Sequence, residues 1–366
     1  MARPFDICIR GAGITGRTLA LLLARERLRV ALVAGPDAAG HSDIRAYALN
    51  AKSRQLLESL RAWPEPVHAT PVLAMQVQGD DRGEVNFRAG DTGAEALAWI
   101  VDVPALEAQL AQATQFQPEI ETVAAPVAAT LTVVCEGSAS QSREEFGVDF
   151  ELAPYAQRAI AARFDVSQAH QHCARQWFTA GDILGVLPLF GNSVAIVWSV
   201  NEARAEALVH LNAEDFSKAV QTASQGVYGE MTLKGQRASW PLQLAKATRW
   251  AGVQDGAAWA LAGDAAHTVH PLSGQGLNLG LADVAELASL IARRDYWRSV
   301  ADPKLLRQYE RSRKLEAALL ATATDGLQRL FAQSGSFWQN LRNTGMSGFD
   351  KSALVKNWVA QRAMGS

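Results

Sequence analysis

The chain has 366 residues, with 35 Lys and Arg against 37 Asp and Glu, a formal net charge of −2, and 48% hydrophobic residues. That balance excludes long intrinsic disorder and lacks the basic face on which a dedicated nucleic-acid binder depends. Its length calls for two domains or one composite fold, and its three cysteines (Cys8, Cys135, Cys173) are too few and odd in number for a disulfide framework, so a reducing cytoplasm is expected.

Near the start, the apolar stretch Leu19–Ala24 is cut off by Arg25, Glu26 and Arg27, far short of the roughly 20 residues a membrane span needs. Phe5–Ile9 is predicted as a buried strand, followed at once by Gly11-x-Gly13-x-x-Gly16. Thr18–Arg27 carries helical periodicity and Arg29–Val33 is a second predicted strand. This is βαβ with a dinucleotide-type turn in its proper place. Gly11 permits the tight turn, Gly13 lets the backbone approach a pyrophosphate, and Gly16 lets helix and strand pack closely. The helix start would then hold the anion. The acid that usually ends the second strand and holds a ribose is missing, because Val33 is followed by Ala34 and Gly35, with Asp37 the nearest carboxylate.

The middle of the chain alternates. Leu73–Gly79, Val85–Phe87 and Gly181–Val200, the last broken by Phe190-Gly-Asn-Ser, are predicted strands of a mostly β domain. Later, Trp259–Ala262 is predicted as a buried strand leading into Gly263-Asp264-Ala265-Ala266-His267, then Pro271-x-x-Gly274-Gln275-Gly276-Leu277-Asn278 and a helix over Leu279–Arg293. A glycine loop opening a helix is a second place where backbone amides converge on an anion. From Asp283 onward the chain is predicted to be largely helical, its arginines interleaved with acids as on a solvated face. His170-x-His172-Cys173 has the residue types of a metal cluster, but on a strand the two histidines and Cys173 would face opposite ways, and no metal is expected. No G-x-S-x-G nucleophile elbow occurs. Among the ten tryptophans, Trp99, Trp177 and Trp198 are candidate pocket walls.

Taken together, the Gly11/Gly13/Gly16 turn, the Gly263–His267 segment and the Pro271–Asn278 loop resemble the flavin-dependent aromatic hydroxylases of the p-hydroxybenzoate hydroxylase class, above all its ubiquinone-biosynthesis branch. Arg45-x-Tyr-Ala-Leu-x-x-x-Ser53, Trp240-Pro241-Leu242 and Tyr309-x-x-x-Arg313 add to the likeness in the same order. The resemblance implies an α/β (α+β overall) fold: a Rossmann-like FAD-binding domain (1–66, 96–146 and 250–292), an inserted mostly β substrate domain (67–95 and 147–249), and a C-terminal helical region (293–366). It implies that Asp264 holds the ribityl hydroxyls of FAD and that Arg45 lies near the flavin. It also places Pro271, Gly274 and Gly276, with Gln275, Leu277 and Asn278, along the flavin ring, with no acid or base assigned. NAD(P)H would be the transient reductant, and an aromatic ring, with or without a polyprenyl tail, would be hydroxylated through a flavin C4a-hydroperoxide.

Three positions depart from the pattern: Ala34 for the ribose acid, Val103 near the cofactor, and Glu136-Gly137 for an Asp-Gly. They leave open an alternative, a weakly FAD-binding or non-catalytic relative serving a quinone-biosynthesis complex. A membrane surface or such a complex is the expected partner for a tailed substrate, with the C-terminal apolar residues (Leu319, Leu320, Leu327, Leu330, Phe331, Phe337, Trp338) as contact surface or as core.

Overall fold

The computed structural model describes residues 5–35, 44–79, 83–179, 181–268 and 275–332, with side chains up to 319. The chain opens with β1 (Phe5–Arg10), α1 (Ile14–Arg25), β2 (Val30–Val33), β3 (Ala46–Leu49) and α2 (Ala51–Ser59). Next come β4 (Ala69–Val72), β5 (Ala74–Gln78), β6 (Glu84–Arg88), the short α3 (Ala89–Thr92), β7 (Ala98–Asp102) and α4 (Val103–Gln115). β8 (Ile120–Val123), β9 (Ala129–Val134) and α5 (Gln141–Glu145) precede the long β10 (Phe150–Val166), then β11 (Cys173–Thr179), β12 (Asp182–Pro188) and β13 (Ser193–Asn201). After α6 (Glu202–His210) and α7 (Ala213–Ala223) the chain forms β14 (Met231–Ala247), β15 (Ala251–Gln254), β16 (Ala257–Leu261), β17 (His267–Thr268), α8 (Gly276–Ala292) and α9 (Pro303–Ala332).

The predicted βαβ unit is present, with its helix starting four residues earlier than the periodicity suggested. Gly13 is the N-cap and α1 stops at Arg25, since Arg27 has already turned left-handed at φ 56°. β1 sits between β2 and β9 and runs parallel to both, with Ile7 opposite Val30 on one side and Leu131 on the other. Buried on both faces, these strands can be apolar throughout. The sheet order is β15-β16-β9-β1-β2-β8, and α1, α8 and the start of α9 pack against it through Leu19, Leu23, Val284, Leu287, Leu306 and Tyr309.

An eight-stranded sheet, ordered β17-β14-β10-β13-β12-β11-β5-β6, forms the second layer. Its outer face carries Ile160, Phe164, Ile196 and Trp198 under Phe216 and Val220 of α7. Its inner face carries the alternate residues, Ala159 and Ala161 on β10 opposite Ser199 and Val197 on β13. A small sheet, β3-β7-β4, joins the layers: Leu49, Val101 and Ala69 pack with α2 and α4, while Val72 and Ile100 meet Ala174 of β11. β4, inside the stretch read as substrate domain, thus pairs with β7 rather than with the large sheet. β17 carries the Gly263–His267 segment onto β14 of the large sheet, so the two layers meet there.

Candidate active site

At the end of β1 the chain turns at Gly11, whose φ of +109° is open to glycine and strained for other residues. A Cβ on Gly11 would lie 2.4 Å from the Cys135 carbonyl oxygen, and one on Gly16 only 1.9 Å from the Gly11 oxygen. Both glycines therefore serve close packing. Gly13 differs, since a Cβ there would meet nothing within 4 Å, so this position faces open space. No side chain caps α1 and no acid occupies its first turn, which leaves its positive end available to an anion. Arg17 adds a positive charge there, held by Nε donating to the Ala12 oxygen at 2.7 Å and Nη1 to Thr114 Oγ1 at 3.1 Å.

More than two hundred residues later, β16 ends in a 3-10 turn at Gly263–Ala265, with Gly263 at φ +63°. A Cβ on Gly263 would come within 3.3 Å of the Thr15 side chain, and one on Gly280 within 3.2 Å of both Gly263 Cα and Thr15 Oγ1. Thr15, on the first turn of α1, is thus wedged between the later turn and α8. The two glycine elements of the sequence are one place in the fold.

Asp264 lies there with its carboxylate exposed, acted on by the charges of His267, Arg45 and Asp283 and, among the described residues, by no hydrogen bond. The surrounding protein mass pushes its carboxyl above the ordinary range, His267 and Arg45 oppose this, and Asp283 adds to it. An exposed carboxylate without a partner among the described residues has acceptor capacity to spare for hydroxyl donors. Arg45 is itself exposed, its Nη1 3.1 Å from Tyr47 Oη. Its backbone is pinned from the large sheet: Arg163 Nε donates to the Ile44 oxygen at 2.9 Å, its Nη2 to the Arg45 oxygen at 3.3 Å, and it pairs with Asp102. Sequence reading gave no sign of Arg163, which is 118 residues away from Arg45 along the chain.

Of the loop and helix start predicted to line the ring, Pro271 and Gly274 lie outside the described residues. Gln275, Gly276 and Leu277 form the uncapped beginning of α8, and its first turn has no acid. Asn278 is buried and spent inside the chain: its Oδ1 accepts from Asn50 N at 3.0 Å and Ser53 Oγ at 2.7 Å, while Nδ2 donates to the Ala48 oxygen at 2.8 Å. It locks α8 to β3 and α2.

The departures also have places. Ala34 continues β2 toward β8, its amide donating to the Val123 oxygen at 3.1 Å, and it offers no acceptor side chain. Val103 is buried at the start of α4. Glu136 accepts from Ser140 Oγ at 2.8 Å, Ser142 N at 3.1 Å and Ser142 Oγ at 2.6 Å, so the longer acid still organises its turn. Arg143, seated by that turn, donates to the Ala265 oxygen at 3.3 Å and the Ser138 oxygen at 3.0 Å. This side chain supports the later glycine turn from below.

Two sequence-based readings are corrected. Trp177 and Trp198 are 2% exposed on the outer face of the large sheet beneath α6 and α7, so they are core and not pocket walls. His170–His172 forms a turn and not a strand, with Gln171 and His172 at positive φ. His170 Nε2 lies 2.8 Å from the Leu189 oxygen and 2.9 Å from the Gly191 oxygen, bonded to backbone. Among the described residues no cluster of three or more His, Cys, Asp or Glu side chains is placed to hold a metal ion.

The residues present fit a dinucleotide flavin. An uncapped helix end beside the open Gly13 suits a pyrophosphate, and the free Asp264 acceptor suits sugar hydroxyls. Comparison with known proteins gives the same reading. A family model described as "FAD binding domain" matches residues 91–324, more than half of the chain. The chain is 28% identical to the ubiquinone hydroxylase UbiL of Rhodospirillum rubrum, over 99% of its own length and 90% of the relative's. It is 26% identical to the 3-demethoxyubiquinol 3-hydroxylase of Escherichia coli, covering 99% of each. Among solved structures, PqsL, a probable FAD-dependent monooxygenase from Pseudomonas aeruginosa, shares the fold with a TM-score of 0.76 at 19% identity, over 94% of this chain and 99% of that one. With that match laid over turns shaped for a dinucleotide, the chain belongs to the FAD-binding-domain family of flavin-dependent monooxygenases.

Proposed function

We propose that this chain hydroxylates an electron-rich aromatic ring, a phenol or polyprenylated phenol of the kind met in ubiquinone biosynthesis, with FAD, NAD(P)H and O2. The observation that carries the reading is the wedge of Thr15 between Gly263 and Gly280, which brings Asp264 beside the open Gly13 turn. Bound FAD supplies the electron transfer and oxygen chemistry, and the protein's task is to bind, orient and exclude water. In this reading Gly13 and the start of α1 take the pyrophosphate and Asp264 takes the sugar hydroxyls. Pro271, Gly274, Gln275, Gly276 and Leu277 flank the ring with the amides of α8, Asn278 fixes that helix, and Arg45 lies alongside. Ala159, Ala161 and Ser199 share a sheet face with Arg163, which reaches Ile44 and Arg45. The names of the relatives support the aromatic substrate and the quinone pathway.

The accessory-protein alternative is not favoured, since Glu136 and Arg143 keep the turn they organise and Asp264 keeps a free carboxylate. No helix among the described residues is long and apolar enough to cross a membrane, so a polyprenyl tail would reach the site from a membrane surface or a partner protein. The test starts with the visible absorbance of freshly purified protein, where flavin bands should be present. NAD(P)H oxidation should then rise with an electron-rich phenol, and oxygen consumption should match hydroxylated product. Absence of flavin even after titration with FAD would sink the proposal.

A further inference from the structure

Behind the exposed Asp264 lies a buried cluster of charges that the cofactor contacts leave unexplained. Asp283, in the middle of the apolar helix α8, has no exposed surface, while His267 and Arg313 are 3% and 4% exposed. Its Oδ2 accepts from the Gly263 backbone N–H at 2.9 Å and lies 2.7 Å from His267 Nε2, while Oδ1 accepts from Arg313 Nε at 2.7 Å. Tyr309, one helical turn before Arg313, donates from its hydroxyl to the Leu261 oxygen at 2.7 Å. α9 therefore grips the chain just before and just behind the turn, with two side chains four residues apart on one helix face. Trp250 closes the other side, its ring 4.8 Å from that of His267 and tilted by 27°.

We propose that Asp283 is a positioning residue for the cofactor turn: held by Arg313 and His267, it fixes the Gly263 amide and through it the aim of the Asp264 carboxylate. A buried carboxylate is costly unless paired, so a charge here calls for a task that an apolar residue could not perform. That task is visible in the turn. Gly263 stands at positive φ against Thr15, a conformation open to glycine, and a residue this free is aimed only by the contacts its amide makes. The Asp283 carboxylate receives the one amide that precedes Asp264. Burial pushes the Asp283 carboxyl up, but the charges and hydrogen bonds of His267 and Arg313 outweigh it and hold the group ionised. The Tyr309-x-x-x-Arg313 pattern thereby gains a role: it staples the last long helix to the cofactor turn.

This inference rests on the reading that Asp264 holds the cofactor, and a double-mutant cycle separates the two. The full-length apoprotein, wild type, Asp264→Ala, Asp283→Asn and the double variant, would be titrated with FAD by flavin fluorescence, with thermal melts alongside. Each single change should weaken FAD binding about tenfold or more. In the Asp283→Asn background, Asp264→Ala should add no more than about twofold, because a carboxylate already misaimed has little left to lose. Effects that multiply, or an Asp283→Asn protein that binds FAD normally, would overturn the positioning role alone. Unchanged binding in Asp264→Ala would overturn the cofactor-site reading and this inference with it. If Asp283→Asn does not fold, the same cycle is run with Arg313→Lys, which keeps charge and most of the volume while withdrawing the Nε contact, and the same criteria apply.

Discussion

Two of the glycines of one motif, Gly16 and Gly13, do different physical work, and substitution should tell them apart. Alanine at Gly16 would place a Cβ 1.9 Å from the Gly11 carbonyl oxygen, a backbone atom that cannot yield cheaply. Gly16→Ala should cost about 3 kcal/mol or more of stability in urea unfolding, or abolish folding. Gly13→Ala meets nothing within 4 Å and should leave the apoprotein's stability within about 0.5 kcal/mol while weakening FAD binding. Asp264 makes the opposite trade. Its carboxyl is held above its ordinary value, so its favourable contribution is full below the unfolded value of about 3.9 and is lost as pH rises through the folded value. Asp264→Asn should therefore melt higher than wild type as apoprotein at pH 7, lose that advantage as pH falls below about 4, and bind FAD more weakly. A lower melting temperature at pH 7 would contradict a carboxyl held above its ordinary value.

Among the elements, α9 divides into two parts. Leu305, Leu306, Tyr309 and Ala317 are buried against the parallel sheet and its turn, whereas Leu315 and Leu319 are 64% and 56% exposed. Truncation after Asp325 should leave a folded protein that binds FAD, because the Tyr309 and Arg313 contacts survive. Truncation before Tyr309 removes a fully buried ring and the partner of Asp283, and should yield insoluble or unfolded chain. The two truncated proteins, compared by circular dichroism, separate the part of the helix that folding requires from the part it does not.

For the whole molecule, the proposed cofactor site is a junction of both layers. β17 pairs with β14 of the large sheet, Arg163 reaches from β10 to the backbone of Ile44 and Arg45, and α8 reaches β3 through Asn278. A ligand that binds only this assembled arrangement should stabilise both layers together. At FAD concentrations near 100 times the dissociation constant, unfolding should shift by about 2.7 kcal/mol as a single transition. A melt in which FAD moves only one of two separate transitions would show that the layers unfold independently.

The amino-acid sequence determined what local chemistry can determine. A strand, three spaced glycines and a helix specify a tight strand-to-helix turn within sixteen residues, and the Gly263–His267 segment specifies a second turn within five, so both turns were legible along with the α/β class. Tertiary structure decided whatever depended on partners far away in the chain. Asn278 meets Ser53 across 225 residues, Arg163 meets Ile44 across 119, and Asp283 is joined to Arg313 from another helix. Strand alternation says that Trp198 faces opposite to Val197, but only the packing of α6 and α7 says which face is core. The turn at His170–His172 was illegible for the same reason: their neighbours, the Leu189 and Gly191 carbonyls and Pro71, are set by the fold and not by spacing. A buried Asp in an apolar helix was the one written clue to the cluster behind the turn, and it named a need for partners without naming them.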